Sequence, residues 1–258
     1  MYKFRFMVVV LLLSSKLFAT YRFDDPTLGN IALEVGVWNT NINGDITNTS
    51  TTTDIQKDLG FTETNNITSF GLDLKNDIYW LPNVYVNYFT LNTTADSVLG
   101  SSKQIDAVYD NFSGSVSSSI DYSELNTILY GFLQQNIFEF DLGLNIKKID
   151  YTQNIKENDD VDDVTIVGPE DLLFLPYIAL KIDLDVIDTV LKAEASILSI
   201  GDDEAKDYKY SINYRVMRNM YISYGYRYTG WKSTNTNNKH EKYNINVDGN
   251  YFNIKVLF

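Results

Sequence analysis

Apolar and polar side chains alternate along most of this chain, and the clearest runs close it. Tyr208, Tyr210, Ile212, Tyr214 and Val216 alternate with Lys209, Ser211, Asn213 and Arg215. After a break at Arg218-Asn219, Met220, Ile222, Tyr224, Tyr226 and Tyr228 alternate with Ser223, Gly225, Arg227 and Thr229. The last run sets Phe252, Ile254, Val256 and Phe258 against Asn253 and Lys255. A period of two places successive side chains on opposite faces and is the period of a β-strand. Upstream, Ile31, Leu33, Val35 and Val37 repeat the pattern, as do Phe138, Phe140, Leu142, Leu144 and Ile146. Lys and Arg on the polar face of long, aromatic-rich strands suit a transmembrane β-barrel with lipid outside and a polar lumen within.

The pattern predicts an all-β fold, an antiparallel transmembrane up-and-down β-barrel of about 12 strands. They are expected near 30–39, 66–76, 83–93, 102–110, 113–121, 125–133, 137–152, 173–184, 189–200, 205–217, 219–230 and 246–258. The Ser-rich stretch 95–124 holds either one strand or two; merging them would give eleven and leave the C-terminus outside, against the even strand number usual for such barrels, and ten or fourteen strands remain open. Within 83–92 the apolar parity slips at Phe89, which predicts a β-bulge. Short joins at 77–82, 134–136, 185–188 and 218 fall on one side, and long ones at 40–65, 153–172 and 231–245 on the other. That is the asymmetry of short periplasmic turns and long extracellular loops. Asp54 to Gly60 predicts one helical turn inside the first long loop. The terminal strand is expected to close against Ile31–Val37.

Composition adds a destination. Residues 1–19 carry Lys3 and Arg5 ahead of an apolar core, Met7 to Leu13, and end on Ala19. They read as a secretory signal peptide, too short in its apolar part to span a membrane, leaving residues 20–258 as one barrel domain. An exported protein with no second hydrophobic helix and strict alternation is expected in a Gram-negative outer membrane, as a porin-like barrel. The formal charge is −13, and losing Lys3, Arg5 and Lys16 makes it more negative still. Nucleic acid is therefore not an expected partner, since phosphate binding needs a basic surface. There is no cysteine, hence no disulfide and no thiolate-bound metal.

The polar faces collect the candidate lumen residues. The acids are Glu34, Asp73, Glu139, Asp141, Asp183 and Glu194, and the cations are Lys75, Lys147, Lys181, Lys192, Lys209, Arg215, Arg227 and Lys255. Adjacent strands are expected to bring Asp183 near Lys192 and Glu194 near Lys209. A charge-lined ion pathway is one reading. The preferred one is a plugged lumen in which pairing satisfies the buried charge. Aromatics near strand ends (Trp38, Tyr79, Trp80, Tyr85, Tyr88, Tyr151, Tyr177, Tyr221, Tyr228, Trp231 and Tyr251) are expected in interfacial belts. In the acidic loop 153–172, Asp159, Asp160, Asp162 and Asp163 are candidate ligands for a hard cation. They match no EF-hand spacing, so a solvated loop is preferred and no cofactor is assigned. The one histidine, His240, lies in a polar loop, and no G-x-S-x-G or H-E-x-x-H occurs, so enzyme activity is not expected.

The segment DLKNDIYWLPNVYVNYFTL, with its Leu81-Pro82-Asn83-Val84 turn, resembles a family of uncharacterised proteobacterial outer-membrane β-barrel proteins, small barrels with a Leu-Pro-Asn turn and a terminal Phe strand. Asp58-Leu59-Gly60, Leu129-Tyr130 leading to Phe140-Asp141-Leu142-Gly143-Leu144, and Gly225-Tyr226-Arg227 are similar too. Where that family often has His-Pro ahead of the turn, this chain has Asn76-Asp77-Ile78-Tyr79-Trp80. The resemblance implies a barrel and an outer membrane, and it brings no catalytic residue. Phe252, Ile254, Val256 and Phe258 look like the signal read by the barrel-assembly machinery. The expected partners are that machinery, outer-membrane lipid and lipopolysaccharide, and the protein is expected to be a monomer. The expected function is a structural surface protein or narrow channel with a charged lumen. The alternative is a surface binding or adhesion module using the acidic and Asn/Thr-rich extracellular loops.

Overall fold

A computed structural model describes residues 31–48, 51–76, 81–103, 112–157, 163–168, 172–234 and 242–258. The expected segment 1–19 lies outside them. Twelve strands form one antiparallel sheet: β1 (Ile31–Thr47), β2 (Thr52–Asp54), β3 (Asn65–Leu74), β4 (Asn83–Lys103), β5 (Phe112–Gln135), β6 (Phe138–Glu157), β7 (Asp163–Val167), β8 (Leu173–Leu184), β9 (Thr189–Ile200), β10 (Asp203–Met217), β11 (Met220–Thr234) and β12 (Lys242–Leu257). Apart from β2 and β7, neighbours in sequence are neighbours in the sheet, and β12 closes the ring on β1 with Leu33 opposite Val256 and Val37 opposite Phe252. Ten strands form the wall. The short β2 and β7 lie on the extracellular ends of β1 and β6.

The twelve strands divide differently from the sequence expectation. The expected strands at 113–121 and 125–133 are one strand, β5, paired with β4 from Asn83–Tyr130 up to Leu99–Gly114. The expected strand at 102–110 lies mostly outside the described residues. β2 and β7 fall inside segments read as loops.

No bulge occurs at Phe89. It lies in register within the β4–β5 ladder opposite Glu124 and ends the β3–β4 ladder opposite Ser69, and the irregularities fall at Leu99/Lys103 and Arg215/Met217. The parity slips there for another reason: the strand leaves the membrane, and its apolar side changes from outside to inside. Tyr88 faces out and is well exposed, whereas Phe89 faces in and is 0% exposed.

Every tall strand makes the same change. On β1 the outward residues Leu33, Val35 and Val37 give way to Asn39, Asn41 and Asn43, while the inward residues become Trp38, Ile42 and Ile46. On β6 the outward series passes from Phe138–Ile146 to Lys148, Asp150 and Thr152, and the inward series from Glu139 and Asp141 to Ile149, Tyr151 and Ile155. About nine residues at ~3.3 Å each, tilted by ~40°, rise about 23 Å, the height of a barrel's lipid-facing band. A second storey of about ten residues continues above it. There the wall is polar outside and encloses an apolar core, the arrangement of a soluble β-barrel.

The first extracellular loop completes that core. Asp54 Oδ1 accepts from the backbone N–H groups of Gln56 and Lys57, capping the helical turn expected at this position. Gly60, at φ +83, ends the turn in the left-handed region. Ile55, Leu59 and Phe61 are thereby turned inward beside Phe89, Leu91 and Leu99, and all six are buried.

On the opposite rim the connections are tight. Asn136 and Asp188 take positive φ in the turns at 136–137 and 185–188, as short polar side chains tolerate.

Candidate functional site: the charged lumen

The charged lumen is built in layers. The uppermost, just beneath the apolar core, is a quartet of two acids and two cations from four strands: Glu124 on β5, Lys147 on β6, Asp207 on β10 and Arg227 on β11. Lys147 Nζ lies 3.1 Å from Glu124 Oε1 and 2.9 Å from Asp207 Oδ2. Arg227 Nη2 lies 2.7 Å from Glu124 Oε1 and 2.8 Å from Asp207 Oδ2. Since β6 and β10 are not adjacent, these contacts cross the bore.

Neutral groups finish the layer. Glu124 also accepts from the Tyr122 hydroxyl (2.6 Å), Thr229 Oγ1 (2.9 Å) and Asn126 Nδ2 (2.5 Å). Arg227 Nη1 donates to Asn87 Oδ1 at 2.8 Å. Its guanidinium carbon stands 4.9 Å from the centre of the Phe89 ring and 5.2 Å from that of Trp38, joining the ionic layer to the apolar one by cation–π contact. Glu124 and Lys147 are both 0% exposed.

Beneath lies a looser layer. Lys255 Nζ is 2.8 Å from Asp73 Oδ2, and the Tyr130 hydroxyl donates to Asp73 Oδ1 at 2.9 Å. Lys181 pairs with Glu139 and lies 2.9 Å from Asp141. Lys192 holds Glu194 at 2.8 Å, and the Tyr177 hydroxyl donates to the same carboxylate. The Tyr85 hydroxyl donates to Glu34 at 2.6 Å, and Lys209 Nζ stands 4.8 Å from the Tyr251 ring centre. At the periplasmic rim Arg215 reaches the Tyr221 hydroxyl and lies 3.6 Å from Asp188. Asp183 is half-buried near that rim, and Lys75 is exposed just beyond β3.

Register decides which charges meet. Glu194 does stand opposite Lys209. Asp183, however, stands opposite Val190, and Lys192 opposite Lys181. The two like charges tolerate the position because each has its own acid, Glu139 and Asp141 for Lys181 and Glu194 for Lys192.

Two of the quartet, Glu124 and Asp207, are not among the lumen residues expected from the sequence. Asp207 has the parity of Lys209 and was legible by position. Glu124 lies where Leu125 and Ile128 put apolar residues on both faces, which hides the alternation.

Several aromatics expected in the interfacial belts are inside instead. Trp38, Tyr85, Tyr151, Tyr177, Trp231 and Tyr251 point inward, and Tyr151 packs edge-on against Trp231 at 5.5 Å between ring centres. Tyr221 joins Arg215, while Tyr79 and Trp80 lie outside the described residues. Tyr88, Tyr208, Tyr226 and Tyr228 face outward at the level where the wall changes character, the position an interfacial belt takes.

The candidate cation ligands Asp159, Asp160 and Asp162 and the lone His240 also lie outside the described residues, and the Asp163 side chain is not described. Among the described residues no cluster of His, Cys, Asp or Glu has the arrangement of a metal site.

No protein-family model matches this chain. Nor does any curated protein match it. Its fold does match solved structures. The outer membrane protease OmpT from Escherichia coli aligns with a TM-score of 0.51 at 10% identity, over 93% of this chain and 99% of that one. Neisserial surface protein A aligns with a TM-score of 0.33 at 10% identity, over 89% of this chain and 97% of that one. The attachment invasion locus protein Ail of Yersinia pestis gives 0.33 at 7%, over 88% and 99%. At such identities the OmpT likeness speaks to fold alone. That fold and the continuous lipid-facing band make this chain an outer-membrane β-barrel protein, and the outer membrane is its location.

Proposed function

We propose that this protein is a closed, non-conducting barrel whose extracellular storey and loops act as a surface binding module. The observation that carries closure is the buried quartet of Glu124, Lys147, Asp207 and Arg227. It spans the bore between strands that are not neighbours, and its charges balance. A hydrated ion passing this layer would have to separate pairs whose members are buried, and would then meet the apolar core around Phe89 and Trp231. An open pore needs a continuous wetted path, and neither layer supplies one.

The narrow-channel reading is thus the less favoured of the two. No catalytic step is assigned, and OmpT's activity is not carried over on fold. The protein is taken as a monomer in outer-membrane lipid, inserted by the barrel-assembly machinery through Phe252, Ile254, Val256 and Phe258.

Planar-bilayer recording of the folded, purified protein tests closure. No single-channel steps are expected, and reproducible steps would overturn the reading. Adhesion of cells displaying the protein tests the module. Replacing the acidic segment 157–163 with Gly and Ser should reduce it, and unchanged adhesion would count against a role for that loop.

A further inference from the structure

We infer that the outward face of the extracellular storey on β12, β1 and β3 is a docking face for the neutral sugar headgroup of a glycolipid in the surrounding outer leaflet. It goes beyond closure and is independent of what the loop tips bind.

Immediately above the lipid-facing pair Val37–Phe252, the two strands place Asn39 opposite Asn250, Asn41 opposite Asp248, Asn43 opposite Asn246 and Asp45 opposite Asn244. Asn and Asp are depleted in strands. At the same level β5 and β6 mix Asp121, Asp150 and Asn154 with Ser117, Ser119, Lys148 and Thr152, as a wall that only has to be wetted would. Eight successive outward positions on two paired strands break the propensity rule together, which marks a functional surface.

The face is preorganised. Asn43 Nδ2 donates to Asp248 (2.7 Å), Asn244 Nδ2 to Asp45 (2.9 Å), and the Tyr226 hydroxyl to Asp248 (2.6 Å). Both carboxylates are therefore oriented by neutral donors. No Lys or Arg stands on 39–45 or 244–250. The nearest outward cations, Lys232 opposite Asn244 and Lys242 beyond it, stand at the upper end of the face. From Asn39–Asn250 to Asn43–Asn246, nearer the lipid, it offers paired donors and acceptors without positive charge, which suits hydroxyls better than phosphate.

A cavity continues it. The β3–β4 ladder stops at Ser69–Phe89. Above that point the two strands part around a notch of about 280 Å³, lined by Asn66, Thr68, Thr90 and Asn92, with Phe70 and Tyr88 at its lipid-side lip. Its polar half would take a sugar ring, and its aromatic lip the start of the lipid. The backbone edges left unpaired there supply further donors and acceptors. The lipid-facing band ends where the amide face begins, so the occupant is a lipid of the same leaflet and not a glycan arriving from solution.

The test is native mass spectrometry of the full-length protein ejected from vesicles of phosphatidylcholine doped with monogalactosyl diacylglycerol or, in parallel, with diacylglycerol. The expected result is at least about tenfold preferential retention of the galactolipid, falling about tenfold in Asn39→Ala/Asn250→Ala. Lys148→Ala, on the far wall, should leave it unchanged. Heat-modifiable gel migration checks that each variant is folded, and Asn66→Ala replaces the double variant if it is not. Equal retention of both lipids, undiminished retention in the variants, or equal competition by free galactose would each overturn the inference.

Discussion

Neutralising one member of the quartet should show whether the lumen is dry. Glu124→Gln keeps the shape of the side chain and removes its charge, leaving Lys147 and Arg227 to share Asp207. Lys147→Met does the reverse. Both residues are fully buried, and each cation contacts both acids at 2.7–3.1 Å. Breaking a buried pair from one side costs about 3–5 kcal/mol, because an uncompensated charge remains. In a water-filled bore the same pairs would be worth ~0–1 kcal/mol, like surface ion pairs. Removing one charge of each sign restores balance and leaves the 2.8 Å Arg227–Asp207 pair intact. The double variant Glu124→Gln/Lys147→Met should therefore lose at least ~2 kcal/mol less than the sum of the singles.

Urea unfolding in lipid vesicles reads this through Trp38 and Trp231, which are buried in the adjoining core. With a slope of roughly 2–3 kcal/mol per M, each single variant should lower the midpoint by about 1–2.5 M. Two results would show a wetted lumen instead. One is singles that shift by less than ~0.3 M. The other is a double variant whose loss equals the sum of the two.

Three further outcomes follow from the two-storey wall. Phe89→Ala, at a fully buried site, should cost about 3–5 kcal/mol in the same assay, whereas Phe70→Ala, 55% exposed on the lipid-facing surface, should cost under ~1 kcal/mol. Ile212→Arg should cost about 2–4 kcal/mol on the lipid-facing surface, while Lys148→Asp, outward but in water, should stay within ~0.5 kcal/mol; equal costs would contradict the boundary. Gly60→Val should cost about 1–3 kcal/mol, because φ is +83 and a Cβ would stand 2.9 Å from the Asp96 carbonyl oxygen; increased protease nicking at 54–61 would report it.

The lower storey was legible because lipid and lumen impose opposite chemistry on alternate residues, so Leu33–Val256 and Phe138–Ile146 announce themselves. The upper storey was not, because the same period continues with its meaning reversed. Phe89 read as a bulge, and the buried Trp38, Tyr151 and Trp231 read as belt residues, since periodicity gives a face and not which side of the wall it meets. Long-range partners were hidden as well. Nothing local connects Arg227 to Asn87, or marks Ile55 and Leu59 as the residues that help fill the barrel's mouth.

Nitroxide scanning of β12 in reconstituted vesicles reads the two-storey wall strand face by strand face. Labels at Ile254 and Phe252 should relax with oxygen and labels at Asn246 and Asn244 with a water-soluble nickel chelate, all on the same strand face. A label at Ile245 should be shielded from both. Oxygen accessibility continuing unchanged from Phe252 to Asn244, or nickel accessibility at Ile245, would contradict a wall that turns its apolar side inward where it leaves the membrane.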